Sequence, residues 1–286
     1  MAALSDIFYQ TYGNPEGEPL IYCHGCPGSH LEASQFHRIA LEQDIRIIAF
    51  DRPGMGQTPF RKIQNVAKEA ELVAELAEML QLDKFAIMGL SGGASTALAA
   101  AAQMPERLTY CASFVGWAPI HDNVELQKHL APADRIFLRL SKYIPWAFGL
   151  GFAYLGHRLK QGKESILKII GGSLSKKDRS ILADNNFADL FVEDLKLAFT
   201  QGSKGPAQDG YLRYKPWGFA LHDIGCPVHL YAAAQDKFAP LAFARTMHEA
   251  IPASTLHIFE DDGHLTAFRQ FRKVAADLQE TIHGRK

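Results

Sequence analysis

The sequence predicts an α/β fold: a mostly parallel sheet flanked by helices and interrupted by one helical insertion. Three observations carry the prediction. Through residues 1–118, short β-rich runs alternate with segments of helical period. Over residues 119–224 the alternation stops, and aromatic and helical runs replace it with no convincing strand. It resumes over residues 225–286, so the insertion sits inside one α/β core. Strands separated by helices need crossover connections, and crossovers join parallel neighbours.

Taken in order, residues 7–12 followed by Gly13-Asn14-Pro15-Glu16-Gly17 read as an antiparallel edge strand and a turn. Residues 20–24, 45–50, 85–90 and 110–115 are strands bounded by Gly, Pro or Asp. Residues 65–82 carry Val66, Val73, Leu76, Ala77 and Leu80 near helical spacing, with Asn65 as the N-cap. The alanine-rich run from residue 94 to 102 predicts a helix pressed close against its neighbours. After the insertion come a strand at 228–233, a helix at 241–251, a strand at 255–259 and a last helix from about residue 265 to 282.

Composition narrows the function classes. Thirty Lys+Arg against 31 Asp+Glu give a formal net charge of −1, which supplies no overall field for nucleic acid or an anionic membrane. With 47% hydrophobic and 21% charged residues, the 286-residue chain is globular and long enough for one large α/β domain. Four cysteines (Cys23, Cys26, Cys111, Cys226) make neither a disulfide framework nor a four-thiolate zinc site, so a reducing, cytoplasmic setting is expected. The N-terminus shows no basic leader followed by an apolar run. Residues 136–155 could cross a bilayer by length, but Arg139, Lys142 and Pro145 interrupt them, so no stable membrane insertion is expected.

Gly89-Leu90-Ser91-Gly92-Gly93 has the Gly-x-Ser-x-Gly form and falls between a strand and a helix, where a sharp turn exposes a serine hydroxyl. A serine attacks only if a base takes its proton and a carboxylate holds that base. Asp236 and His264 each follow a later strand and supply both groups in the order Ser, Asp, His. Oxyanion donors are expected from Gly92 and from the loop His24-Gly25-Cys26-Pro27-Gly28-Ser29.

Together with Asp51-Arg52-Pro53-Gly54-Met55-Gly56, Ala118-Pro119, Pro216-Trp217 and Gly263-His264, these motifs resemble the α/β-hydrolase family across both halves of the core. The resemblance implies an α/β-hydrolase fold, a backbone N–H of Cys26 as second oxyanion donor, and His24 and Asp51 as braces of the oxyanion loop. The acid loop departs from the family's usual His-Gly-x-x-Asp, reading Ala233-Ala234-Gln235-Asp236, which leaves the turn geometry open. Asp122, after the preceding strand, is the rival acid. Asp261 and Asp262 read as solvated loop acids, and Cys23 and Cys111 as inert core residues.

The histidine spacings imply no metal, and without a glycine-rich phosphate loop no nucleotide cofactor is expected. The insertion's apolar residues (Ile136, Phe137, Leu140, Tyr143, Ile144, Trp146, Phe148, Phe152, Tyr154) read either as helix-to-helix core or as a cap shaping an apolar pocket. The expected partner is a small-molecule ester with an apolar group, and the reaction is ester hydrolysis through an acyl-enzyme. A serine at the elbow argues against dehalogenase or epoxide-hydrolase chemistry. The alternatives are an aminopeptidase resembling the proline iminopeptidases, with Glu193 and Asp194 as the nearest amine-binding acids, although both read first as a solvated helix face; a C–C bond hydrolase or cofactor-free perhydrolase with the same triad; or a ligand receptor on the same fold. Oligomeric state is not legible.

Overall fold

A computed structural model describes residues 6–172 and 174–284. Among these residues seven strands form one sheet: β1 (Tyr9–Gly13), β2 (Glu18–Cys23), β3 (Ile45–Phe50), β4 (Phe85–Leu90), β5 (Leu108–Phe114), β6 (Val228–Ala233) and β7 (Ser254–Phe259). Their order in space is β1-β3-β2-β4-β5-β6-β7. β1 runs antiparallel to β3, as the edge-strand reading expects, and every other pairing is parallel. A strand in the middle of a parallel sheet is covered on both faces, which is why β4, Phe-Ala-Ile-Met-Gly-Leu, is apolar and buried throughout.

Helices α1 (His37–Glu42), α2 (Glu69–Met79) and α3 (Gly93–Gln103) belong to the first half of the core. Asn65 caps as expected, its side chain accepting from the Lys68 N–H, although the first turn is 3-10 and α2 itself begins at Glu69. Nine consecutive residues of α3, Gly93 to Ala101, are buried, so small side chains let the helix lie against β4 and β5. The chain runs from β2 to the neighbouring β3 and then crosses back to β4 on the other side of β2. The crevice above the ends of β2 and β4 is therefore the switch point at which open α/β sheets bind ligands.

Among the described residues seven α-helices lie between β5 and β6: α4 (Val124–Lys128), α5 (Pro132–Tyr143), α6 (Pro145–Lys160), α7 (Lys163–Gly171), α8 (Lys176–Leu182), α9 (Asn185–Ala198) and α10 (Lys204–Arg213). No strand interrupts them among the described residues. The apolar stretch 136–155 is broken at Ile144–Pro145, where proline opens α6, and among the described residues no helix is long and apolar enough to cross a membrane. The core-helix reading of that stretch holds for Phe137, Phe148 and Phe152, which pack together, but not for Ile136, Tyr143, Ile144, Trp146 and Tyr154, which are exposed. Helices α11 (Leu241–Ala250) and α12 (Ala267–His283) complete the core, α12 following a 3-10 turn at His264–Thr266.

Candidate active site

The turn after β4 needs its glycines. A Cβ on Gly89 would sit 2.2 Å from the Gly93 carbonyl oxygen, so the strand and helix could not approach as they do with any larger residue. Ser91 itself is held at a φ of 51°, in the left-handed region, with its N–H donating to Phe114 O at 2.8 Å. That strained corner lifts the hydroxyl off the sheet edge.

The hydroxyl meets the imidazole. His264 Nε2 lies 3.0 Å from Ser91 Oγ, and His264 Nδ1 lies 2.7 Å from Asp236 Oδ2. The other Asp236 oxygen accepts from the N–H groups of Phe238 (2.8 Å) and Ala239 (2.9 Å), so the departure in the acid loop leaves the carboxylate firmly oriented. Burial alone would depress the His264 pKa, but the Asp236 carboxylate, with further negative charge from Asp178 and Glu32, raises it above the ordinary value of 6.5. Asp122 is exposed beside His121 and has no bond to His264.

Cys26 and Gly92 adjoin: a Cβ on Gly92 would lie 2.6 Å from Cys26 Cβ and 3.4 Å from its backbone nitrogen. Neither of the two backbone N–H groups is taken by an acceptor among the described residues. Burial pushes the Cys26 thiol pKa well above its usual range, which suits a backbone role and not a thiolate. Above Ser91 lies a cavity of about 320 Å³, lined mostly by apolar side chains that include Phe137, Phe152, Leu155 and Leu159 of the inserted helices.

The sequence profile of the alpha/beta hydrolase family matches residues 20–277. The chain belongs to the alpha/beta hydrolase family. It is 26% identical, over 91% of its length and 88% of the relative's, to a Mycoplasma pneumoniae protein whose name assigns it, as a candidate, to the proline iminopeptidases. Its fold is similar to that of an esterase from Exiguobacterium antarcticum (TM-score 0.68, 21% identity, 97% of this chain and 95% of the other). It is also similar to a carboxylesterase structure from Nitrososphaera gargenis (TM-score 0.72, 17% identity, 98% and 96%).

Around this alpha/beta hydrolase site the expected braces divide their work. His24 is buried, its Nδ1 donating to Gly25 O at 2.7 Å and its Nε2 accepting from Arg52 N at 3.3 Å. Burial and the Arg52 charge lower its pKa to about 3, so it stays neutral. Asp51 instead accepts from His30 N (2.7 Å) and Gln57 N (2.9 Å), bracing the neighbouring turn and not the oxyanion loop directly. The direct brace is Glu32, which accepts from Gly25 N (2.8 Å) and Tyr22 Oη (2.7 Å).

Three further charged features escaped the sequence reading. Arg52 pairs with both oxygens of Asp209 (2.7 and 2.8 Å) while donating to the carbonyls of His24 and Gly25. Arg213 bridges Glu69 and Asp209, and its Nε, buried with no hydrogen-bond partner among the described residues, would lie 3.5 Å from a Cβ on Gly92. Asp178 of α8 accepts from the backbone N–H groups of His264 (3.1 Å) and Leu265 (2.8 Å), clamping an inserted helix to the histidine loop.

Two expectations are corrected. Asp262 is buried, bonded to Thr266 Oγ1 at 2.6 Å and paired with Lys177, because the loop folds it under α12; only Asp261 is solvated. Glu193 is exposed, as a solvated face requires, but Asp194 is buried and accepts from Ser29 N and Oγ. The fold also gathers three residues that linear spacing keeps apart. His229 Nδ1 lies 3.4 Å from His257 Nε2, and their ligand atoms and that of Asp277 fall within 4.8 Å of one another. Asp277 there already accepts from Tyr231 Oη at 2.6 Å and pairs with Lys273.

Proposed function

We propose that this protein is a serine hydrolase that cleaves a carboxylic ester through an acyl-enzyme, with residues 119–224 serving as a cap over the site. The unbroken hydrogen-bond chain from Ser91 through His264 to Asp236 carries the reading. Ser91 Oγ attacks the ester carbonyl while His264 Nε2 takes its proton. The backbone N–H groups of Cys26 and Gly92, which adjoin, hold the oxyanion. The C–O bond then breaks, His264 returns the proton to the leaving alcohol, and the acyl group stays on Ser91. Water, deprotonated by the same imidazole, releases the carboxylic acid and restores the serine. The mostly apolar cavity supports a substrate with an apolar group, and Cys23, Cys26 and Cys111, all free thiols, accord with a reducing cytoplasmic setting.

The Mycoplasma relative's name favours a second reading, removal of an N-terminal proline. That chemistry needs a carboxylate facing the cavity to hold the substrate's ammonium. Neither Glu193 nor Asp194 lines the cavity. The acids that do, Glu32 and Asp134, have pKa values raised by burial and spend oxygens on Tyr22 and Tyr214, which makes them poor cation anchors. Turnover of p-nitrophenyl esters of rising acyl length, compared with proline p-nitroanilide, tests the choice. The ester reading expects kcat/KM for the best ester to exceed that for the anilide by at least about a hundredfold. Preference for the anilide would replace the esterase with the aminopeptidase.

A further inference from the structure

Six of the eight exposed large apolar side chains among the described residues fall between residues 136 and 154: Ile136, Tyr143, Ile144, Trp146, Leu150 and Tyr154. On α6, Trp146, Leu150 and Tyr154 are four residues apart and share one face, while Phe152, Leu155 and Leu159 on the other side line the cavity. Trp146 is 79% exposed and Tyr143 78%, so this is a face without cover and not the edge of the core.

Charge identifies what covers it. Although the chain as a whole has a formal charge of −1, α5 and α6 carry Arg135, Arg139, Lys142, Arg158 and Lys160 and a single acid, Asp134. Asp134 is turned inward: its carboxyl accepts from Tyr214 Oη at 2.7 Å and lines the cavity. A second copy packed on this face through a twofold axis would bring cation against cation. A surface of anionic headgroups over acyl chains matches both the apolar stripe and the basic flanks, with Trp and Tyr suited to the boundary between them. We infer that the outer face of α5 and α6 docks this protein on an anionic lipid surface, lying on the bilayer without crossing it. The same two helices then separate membrane from cavity, which makes a lipid-dissolved ester the substrate source. That last step rests on the hydrolase reading; the docking does not.

Sedimentation with phosphatidylcholine vesicles, with and without 30% phosphatidylglycerol, tests the docking, using Ser91→Ala protein beside wild type so that hydrolysis plays no part. Both proteins should bind the anionic vesicles and bind neutral ones much more weakly. Trp146 is the one strongly exposed tryptophan, since Trp117 and Trp217 are buried, so its emission should shift to the blue on binding and Trp146→Phe should abolish the shift. Trp146→Ser with Leu150→Ser should weaken binding by about tenfold or more. Arg139→Gln with Lys160→Gln should weaken it about thirtyfold at low salt. All four side chains face solvent, so unchanged far-UV circular dichroism and Tm are expected of the variants. No sedimentation with anionic vesicles, equal binding to neutral ones, or self-association abolished by the same substitutions would overturn the inference. An inactive wild type that still binds vesicles would leave the docking intact and remove only the hydrolase reading.

Discussion

Asp178→Asn separates a clamp from a bystander. In the native protein the Asp178 carboxylate accepts from His264 N, Leu265 N, Ser175 N and Ser175 Oγ, at 2.8 to 3.1 Å, and the residue is 1% exposed. The amide keeps one acceptor oxygen but turns an NH2 group toward donors that cannot receive it. Hydrogen bonds to a charged group contribute about 1.5–3 kcal/mol each, so losing one outright and weakening the others costs about 3 kcal/mol. For a chain of this length that is a fall in Tm of roughly 5–10 °C. The variant also removes negative charge that helps raise the His264 pKa. The base must be neutral to accept the serine proton, so activity is lost as pH falls through the His264 pKa. Lowering that pKa moves the acid limb of kcat/KM to lower pH. Thermal unfolding and a pH–rate profile on an activated ester read both effects. Native Tm together with an unmoved acid limb would refute the clamp.

Asp236→Asn should lower kcat by about a thousandfold or more and shift the remaining acid limb below that of wild type, because the group that holds the tautomer and raises the pKa is gone; loss of less than tenfold would argue against the triad role. The same raised pKa sets a stability term. The protonated His264–Asp236 pair stabilises the fold fully below the unfolded-state pKa of about 6.5, and that contribution is lost as pH rises through the higher folded value. Asp209→Ala leaves Arg52 and Arg213 buried beside each other and should cost about 3–5 kcal/mol in urea unfolding; a loss under about 1 kcal/mol would show that the network does not need its central carboxylate.

What the sequence made legible follows from what is local. Strands β3, β4 and β6 read directly from apolar runs because both faces of each are covered. That Ser91, Asp236 and His264 meet was legible because each lies in the loop that follows a strand, and strand ends of a parallel sheet meet along one edge. Asp178 stands 86 residues from the backbone it holds, and Asp209 stands 157 from Arg52, so no spacing announces either contact. Asp194 and Asp262 looked solvated because charge alone says nothing about which side of a helix or loop meets Ser29 or Thr266. The aromatic stretch 136–155 showed apolar content but not its division, since the break at Pro145 sends some rings to the cavity and leaves Trp146 in water.

The catalytic assignment is tested most directly by treating the folded protein with a fluorophosphonate and mapping the adduct by mass spectrometry. One adduct on Ser91 is expected, absent from Ser91→Ala and formed at least about a hundredfold more slowly in His264→Ala. An unlabelled Ser91 in correctly folded protein, or an adduct on a different side chain, would contradict it.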